Sequence, residues 1–403
     1  MRCYRYAQLA LAASLMLAPV AMAADGGKSA SQAVFVGDQT GEVAFVDESG
    51  DVAAAAVLKE LDENVELAQF SSSLGGGNAL PLGLASGCTG QWFVGADYLN
   101  VRATFSQATA YLLQETPPGA VTAADTSFTY VQTEFDYEPN YRVYGGYRIC
   151  DCGCEIRFTY TSIDSSGSFT SPVTQGDSSV IVTAPFEVIA PGQDDFVTGG
   201  GTVSIDDYDL GVSRTIPLGS PLGACGCADP CGCWCPAWDI TWTGAVRVSD
   251  VSSSLNYQSV INSTGAPLAR TATSTVNFQG VGLRTGMLGR RYFGREGIAS
   301  IYLKGDISLL LGDVENVAVG DAFSRHSLTS TQIVPVTELE VGGSVFLTRN
   351  ASVTGGYLFA AWHDLGHRPE YDFGSGSAVQ LESFDDANIL GVDGWFVRAE
   401  VTY

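Results

Sequence analysis

The side chains that could do chemistry in this 403-residue chain begin with ten cysteines, and their spacing is uneven. Cys3 and Cys88 stand alone. Cys150, Cys152 and Cys154 form one cluster, and Cys225, Cys227, Cys231, Cys233 and Cys235 form another. In an oxidising compartment such thiols pair as disulfides. A Cys-x-Cys pair is too close to bridge itself without strain, so bridges should join separate turns. Thiolate clusters also suit soft metals such as Zn²⁺ or Cu⁺. The spacings here are not those of zinc fingers, and no histidine lies near. Disulfides, a soft-metal site and free thiols all stay open. Without Cys3 the count is odd, which leaves one thiol unpaired or available to a second molecule.

The three histidines are His326, His363 and His367. With Asp364 and a nearby serine, His363 and His367 have the residue types of a nucleophilic triad. Serine and aspartate are so common in this chain that chance proximity explains the set, and no enzyme is expected. The i, i+4 spacing of His363 and His367 suits metal binding only on a helix. Gly366 and Pro369 argue against one. No cofactor is expected.

The other chemistry is charge placed in alternation. Arg142, Arg148, Glu155, Arg157, Arg247, Lys304, Asp306, Glu338, Glu340, Arg398 and Glu400 all sit on the polar phase of segments with a period of two. Ile156, Phe158 and Tyr160 oppose Glu155 and Arg157. Leu339, Val341, Val345 and Leu347 oppose Glu338 and Glu340. The last stretch has Trp395, Val397, Ala399, Val401 and Tyr403 on one face and Arg398 and Glu400 on the other. Such strands put apolar side chains on lipid and polar ones in the lumen of a membrane barrel, with aromatic edges. In a soluble sandwich the apolar face would meet a core. Tyr403, an aromatic residue at the end of the last strand, is a candidate C-terminal barrel-assembly signal.

The elements that would position these rows are strands. About ten are expected, near 92–105, 128–149, 154–165, 202–216, 238–251, 274–290, 297–311, 334–348, 351–363 and 391–403. Twelve are allowed if Val180–Ala190 also pairs. Connections alternate between short ones, near 150–154, 291–297 and 349–350, and long ones, near 106–127, 166–201, 252–273, 312–333 and 364–390. Bacterial barrels have this asymmetry, with short turns in the periplasm and an even strand count. The two cysteine clusters and Cys88 would then share the periplasmic rim. The fold class expected is all-β, an antiparallel transmembrane β-barrel spanning residues 91–403.

Residues 1–23 have the parts of a secretory signal peptide: Arg2 and Arg5, an apolar run from Leu9 to Val20, and Ala21-Met22-Ala23 for cleavage. Residues 24–90 read as a periplasmic leader with a helix near 51–70 and a Gly/Ser linker. No later run is long enough for a membrane helix, so a membrane-spanning chain must close as a barrel. The formal charge is −24, from 44 acidic and 20 basic side chains. Removal of the signal makes the chain two charges more negative. That excludes nucleic acid as a partner and favours cations.

Residues 90–403 resemble the Legionella-type major outer membrane protein family, especially its planctomycete-like members. The likeness lies in Trp92-Phe-Val-Gly-Ala-Asp-Tyr-Leu99 and Asn140-Tyr-Arg-Val-Tyr-Gly-Gly-Tyr147. It continues through Phe278-Gln-Gly-Val-Gly-Leu-Arg-Thr-Gly-Met-Leu-Gly-Arg-Arg-Tyr-Phe293 and Ile301-Tyr-Leu-Lys-Gly305. Leu310-Leu-Gly-Asp313, Glu338-Leu-Glu-Val-Gly342 and Gly355-Gly-Tyr-Leu-Phe-Ala-Ala-Trp362 complete it. The resemblance implies a pore-forming outer-membrane barrel of a Gram-negative bacterium and no shared catalytic residues. The function expected is a porin-like pore for small solutes or ions, with mild cation preference. The eleven charged residues would be its lining. The alternatives are a structural or adhesive surface barrel working through its long loops, and a secreted, disulfide-stapled β-protein. Expected partners are outer-membrane lipid, the barrel-assembly machinery and small solutes or cations. Homo-oligomerisation is left open. A barrel of about ten strands also carries the expectation that side chains fill much of its lumen.

Overall fold

The computed structural model describes residues 90–403, apart from 107, 117–126, 150–152, 174–179, 185–186, 189–194, 220–235, 262–267, 295–296, 322–324, 349, 366–367, 373–379 and 386–387. The expected signal segment, the expected leader and helix, His367 and every cysteine except Cys154 lie outside the described residues.

The strands are β1 (Gln91–Phe105), β2 (Thr109–Glu115), β3 (Ser127–Gln132), β4 (Glu138–Ile149), β5 (Cys154–Thr170), β6 (Val180–Ala184), β7 (Glu187–Val188), β8 (Phe196–Leu218), β9 (Trp238–Ile261), β10 (Leu268–Phe293), β11 (Ala299–Gly320), β12 (His326–Thr348), β13 (Ala351–His363), β14 (Arg368–Asp372), β15 (Gln380–Asp385) and β16 (Ile389–Thr402). Ten of them close into one antiparallel ring in the order β1-β16-β13-β12-β11-β10-β9-β8-β5-β4. Closure leaves no edge strand in the ring. The first and last ring strands pair through thirteen residue partners, from Phe93↔Thr402 to Phe105↔Leu390. The remaining strands form a small sheet, β3-β2-β6-β7, and a hairpin, β14-β15.

Three expectations need correction. The single strand expected at 128–149 is two, β3 and β4, and they belong to different sheets. Val180–Ala184 pairs with β2 outside the ring, so the ring does not reach twelve strands. The long connections expected near 252–273 and 312–333 are mostly strand, since β9 runs to Ile261 and β11 to Gly320. A reversal of side-chain pattern hid these extensions.

That reversal organises the whole barrel. On β9 the outward residues are Trp238, Ile240, Trp242, Val246 and Val248, then Asp250, Ser252, Ser254, Asn256 and Gln258. The inward residues change the other way, from Asp239 and Arg247 to the buried Val251, Leu255 and Tyr257. On β1 the same change falls between outward Tyr98 and Asn100, and between inward Asp97 and Leu99. On β11 outward Leu311 gives way to Asp313 as inward Asp306 gives way to Leu310 and Val314. The near half, which carries the start of β1 and the end of β16, is therefore apolar outside and polar inside. The far half is polar outside and apolar inside.

Large apolar side chains lie bare on the near half, including Leu283 at 69% exposure and Ile307 at 55%. Aromatic rings edge this belt at both ends. Tyr98 and Trp395 lie 5.6 Å apart at its far edge, and Trp92 and Tyr147 lie 5.1 Å apart near the first rim. The Trp238–Val248 stretch matches the roughly 9–11 residues with which a tilted strand crosses a bilayer.

Inside the far half, one apolar cluster takes residues from almost the whole ring. It includes Val101 and Phe105 of β1, Ile205 of β8, Leu255 of β9, Phe278 of β10, Val336 of β12, Trp362 of β13 and Val392 of β16. The tip of the Phe278 ring sits against Gly280, where a β-carbon would collide with it. Above this core β2 packs in, with Ala110 and Leu112 buried and the Tyr257 hydroxyl donating to the Thr109 carbonyl at 2.9 Å. The tight turns of the near rim use left-handed glycines, Gly153 at φ 61° and Gly294 at φ 80°.

Candidate functional site: the barrel interior

Inward alternation on the near halves of the strands aims the charged rows at one another across the lumen. All eleven charged residues expected to line the interior are there, and each makes an ion pair. Three groups are formed.

The first group centres on Asp97 of β1 and Glu340 of β12. Arg398 of β16 grips Asp97 with two hydrogen bonds of 2.8 Å and reaches Glu340 at 3.2 Å. Arg142 of β4 reaches the same Glu340 at 3.4 Å. Three strands separate β4 from β12 around the ring, so this pair bridges the lumen rather than running along its wall. The Tyr302 hydroxyl donates to Glu340 at 2.5 Å.

The second group is built on Arg247 of β9 and Arg284 of β10. Arg247 donates to both oxygens of Asp209, at 2.8 and 2.9 Å, and pairs with Glu338. Arg284 contacts Asp209, Asp306 at 2.6 Å and Glu338 at 2.7 Å. Lys304 adds to Asp306 at 2.8 Å. Arg247 is only 2% exposed. Planar guanidinium groups in two-pronged contact with carboxylates are the arrangement in which buried ion pairs are best satisfied.

The third group lies closest to the near rim. Arg148 and Arg157 share Glu155, at 2.9 and 2.7 Å, and Glu400, which also accepts the Tyr144 hydroxyl at 2.9 Å. Arg157 also lies over the Tyr144 ring at 4.5 Å.

Sequence reasoning missed Asp97, Asp207, Asp209 and Arg284, which complete these groups. The signal was present: Asp207 and Asp209 alternate with Tyr208 and Leu210, and Arg284 is in phase with Arg290. Elsewhere, His363 hydrogen-bonds Thr337 at 3.0 Å at the end of β13. Asp364 beside it adopts a left-handed φ of 57°. Cys154 opens β5 opposite Arg214 of β8, and the disulfide or metal reading of the other cysteines falls outside the described residues. The Tyr403 amide donates to the Trp92 carbonyl at 2.7 Å, tying the chain end to the first strand. Among the described residues no group of histidine, cysteine, aspartate and glutamate has the geometry to hold a metal ion.

The ring, its outward apolar belt and its polar interior give the chain the fold of outer-membrane β-barrels. No protein-family profile matches it, and no curated protein does. Solved structures similar to it include the outer membrane protease OmpT of Escherichia coli, at 10% identity and a TM-score of 0.36. That match covers 79% of this chain and 99% of that one. The toluene transporter TodX of P. putida matches at 8% identity and a TM-score of 0.20, covering 79% and 90%. An anion-selective porin of Comamonas acidovorans matches at 8% identity and a TM-score of 0.17, covering 78% and 100%.

Proposed function

We propose that this chain is an outer-membrane barrel closed to free diffusion, which holds its far half and the β3-β2-β6-β7 sheet clear of the membrane as a surface structure. In this reading the near rim is periplasmic and the belt from Trp238 to Val248 lies in lipid. The carrying observation is the double seal of the lumen. A layer of ion pairs crosses it, and an apolar core of Val101, Leu255, Phe278, Val336, Trp362 and Val392 lies beyond. An aqueous channel needs polar walls throughout, and an apolar constriction excludes water and ions.

The pore expected from the charged rows is the second reading, and the family resemblance belongs with it. It is favoured by the cross-lumen pairs, which could exchange partners, but it requires the apolar layer to part. Cation preference and small-solute passage belong to that reading alone.

Single-channel recording of the refolded chain in planar bilayers separates the two. The closed barrel gives a silent bilayer from protein that is demonstrably inserted. Discrete steps that shrink when Glu338 and Glu340 are changed to glutamine would overturn it in favour of the pore.

A further inference from the structure

At the far edge of the apolar belt, one sector of the outer wall differs from the rest. Just beyond the last outward apolar residue, β8, β9 and β11 present Asp206, Asp250 and Asp313, and β5 presents Asp164 after Ser162. The β1–β16 sector carries an outward aspartate too, Asp393, but adds a cation, Arg102. Its Nε donates to Asp393 Oδ1 at 3.3 Å, and its guanidinium lies over the Tyr137 ring at 4.9 Å. Asp393 is itself fixed, because its other oxygen accepts the hydroxyls of Tyr137, at 3.1 Å, and Tyr357. Among the described residues neither Nη nitrogen of Arg102 has a partner, and the side chain is 46% exposed. Below it stand the exposed rings of Tyr98 and Trp395.

We propose that this sector binds the phosphorylated sugar headgroup of an outer-leaflet lipid. The inference rests on the membrane reading above. A guanidinium held from behind by a carboxylate and a ring offers its two free amino groups in fixed orientation. That is the donor pattern that phosphate oxygens accept best. Exposed aromatic rings at the interface give a sugar a flat face to lie on, and the acyl chains continue down the apolar wall. The aspartates of β5, β8, β9 and β11 repel an anionic headgroup, so the paired Arg102 sector is where one is least opposed.

The test is lipid retention by the full chain, purified in detergent, measured by native mass spectrometry. The probe is the bisphosphorylated diglucosamine lipid (lipid A), compared with its dephosphorylated form. The bisphosphate should be retained at least tenfold more tightly. Arg102→Gln should remove most of that preference, and Arg102→Lys should keep part of it. Arg102 is exposed, so these variants fold, and heat-modifiable gel mobility verifies it. Equal retention of the two lipids, or an unchanged preference in Arg102→Gln, overturns the proposal. Flotation with phosphatidylcholine vesicles separates the two levels. A chain that fails to insert sinks the membrane reading and this inference together, whereas one that inserts without phosphate preference sinks only the inference.

Discussion

Replacing Arg247 by methionine tests whether the interior is dry. Arg247 holds Asp209 by two hydrogen bonds and pairs with Glu338 while only 2% exposed. Methionine keeps most of the volume and removes the charge. Stranding a carboxylate by deleting its buried partner costs about 3–5 kcal/mol. Arg284 still contacts both Asp209 and Glu338, so the lower end, about 3 kcal/mol, is expected. At about 1.4 kcal/mol per tenfold, that is roughly a hundredfold in the folding equilibrium. Urea unfolding of the chain in lipid vesicles measures it, with tryptophan fluorescence and heat-modifiable gel mobility as two probes. Adding Asp209→Asn to the variant should recover part of the loss, because it removes one of the three carboxylates that Arg247 pairs with. A loss under about 1 kcal/mol is the size seen for solvent-screened pairs. That outcome would mean water fills the lumen, and the closed-barrel reasoning would fail.

Further outcomes follow from the two halves. Leu303→Arg, on the apolar belt, should destabilise the folded chain in vesicles by about 2–4 kcal/mol. Thr275→Arg, outward on the far half of β10, should change it by less than about 0.5 kcal/mol; equal effects would erase the boundary between the halves. Phe278→Ala should cost about 3–5 kcal/mol in the same assay, as a large core ring does in a water-soluble protein. At the far rim, Asp321 accepts the amide and hydroxyl of Thr271, both at 2.8 Å, which holds its pKa below the usual 3.8. Its folded pKa being depressed, this contact stabilises the fold above the unfolded pKa and is lost as pH falls through the folded one. The Thr271 amide resonance should therefore titrate with a midpoint below 3.8, and a midpoint at or above that value would contradict the contact.

The near half of the barrel was legible in the sequence because its chemistry is of one kind. Arg157 between Ile156 and Phe158, or Glu340 between Leu339 and Val341, can face only inward if lipid is outside. The far half was not legible in the same scan. Ser252, Ser254, Asn256 and Gln258 resemble a loop when apolar residues are sought on the outward phase. Yet Val251, Leu255 and Tyr257 keep the same period of two on the opposite phase. The partners of the charged rows were hidden for a different reason. Arg142 and Glu340 meet through the curvature of a closed ring, and no local spacing carries that contact. Tyr302, an aromatic residue on an inward phase, gave no sign that it would donate to a carboxylate.

The pattern reversal also sets how deep the molecule can ride. A uniform strand could slide along the bilayer normal and trade one apolar pair for the next. Here the next outward residues past Tyr98, Val248 and Leu311 are Asn100, Asp250 and Asp313, so sinking further would drag amides and carboxylates into hydrocarbon. A bilayer thicker than the belt must thin around the barrel, because the barrel has no spare apolar wall to offer it. The chain thus carries its own waterline, and membranes of different thickness will not be equivalent hosts.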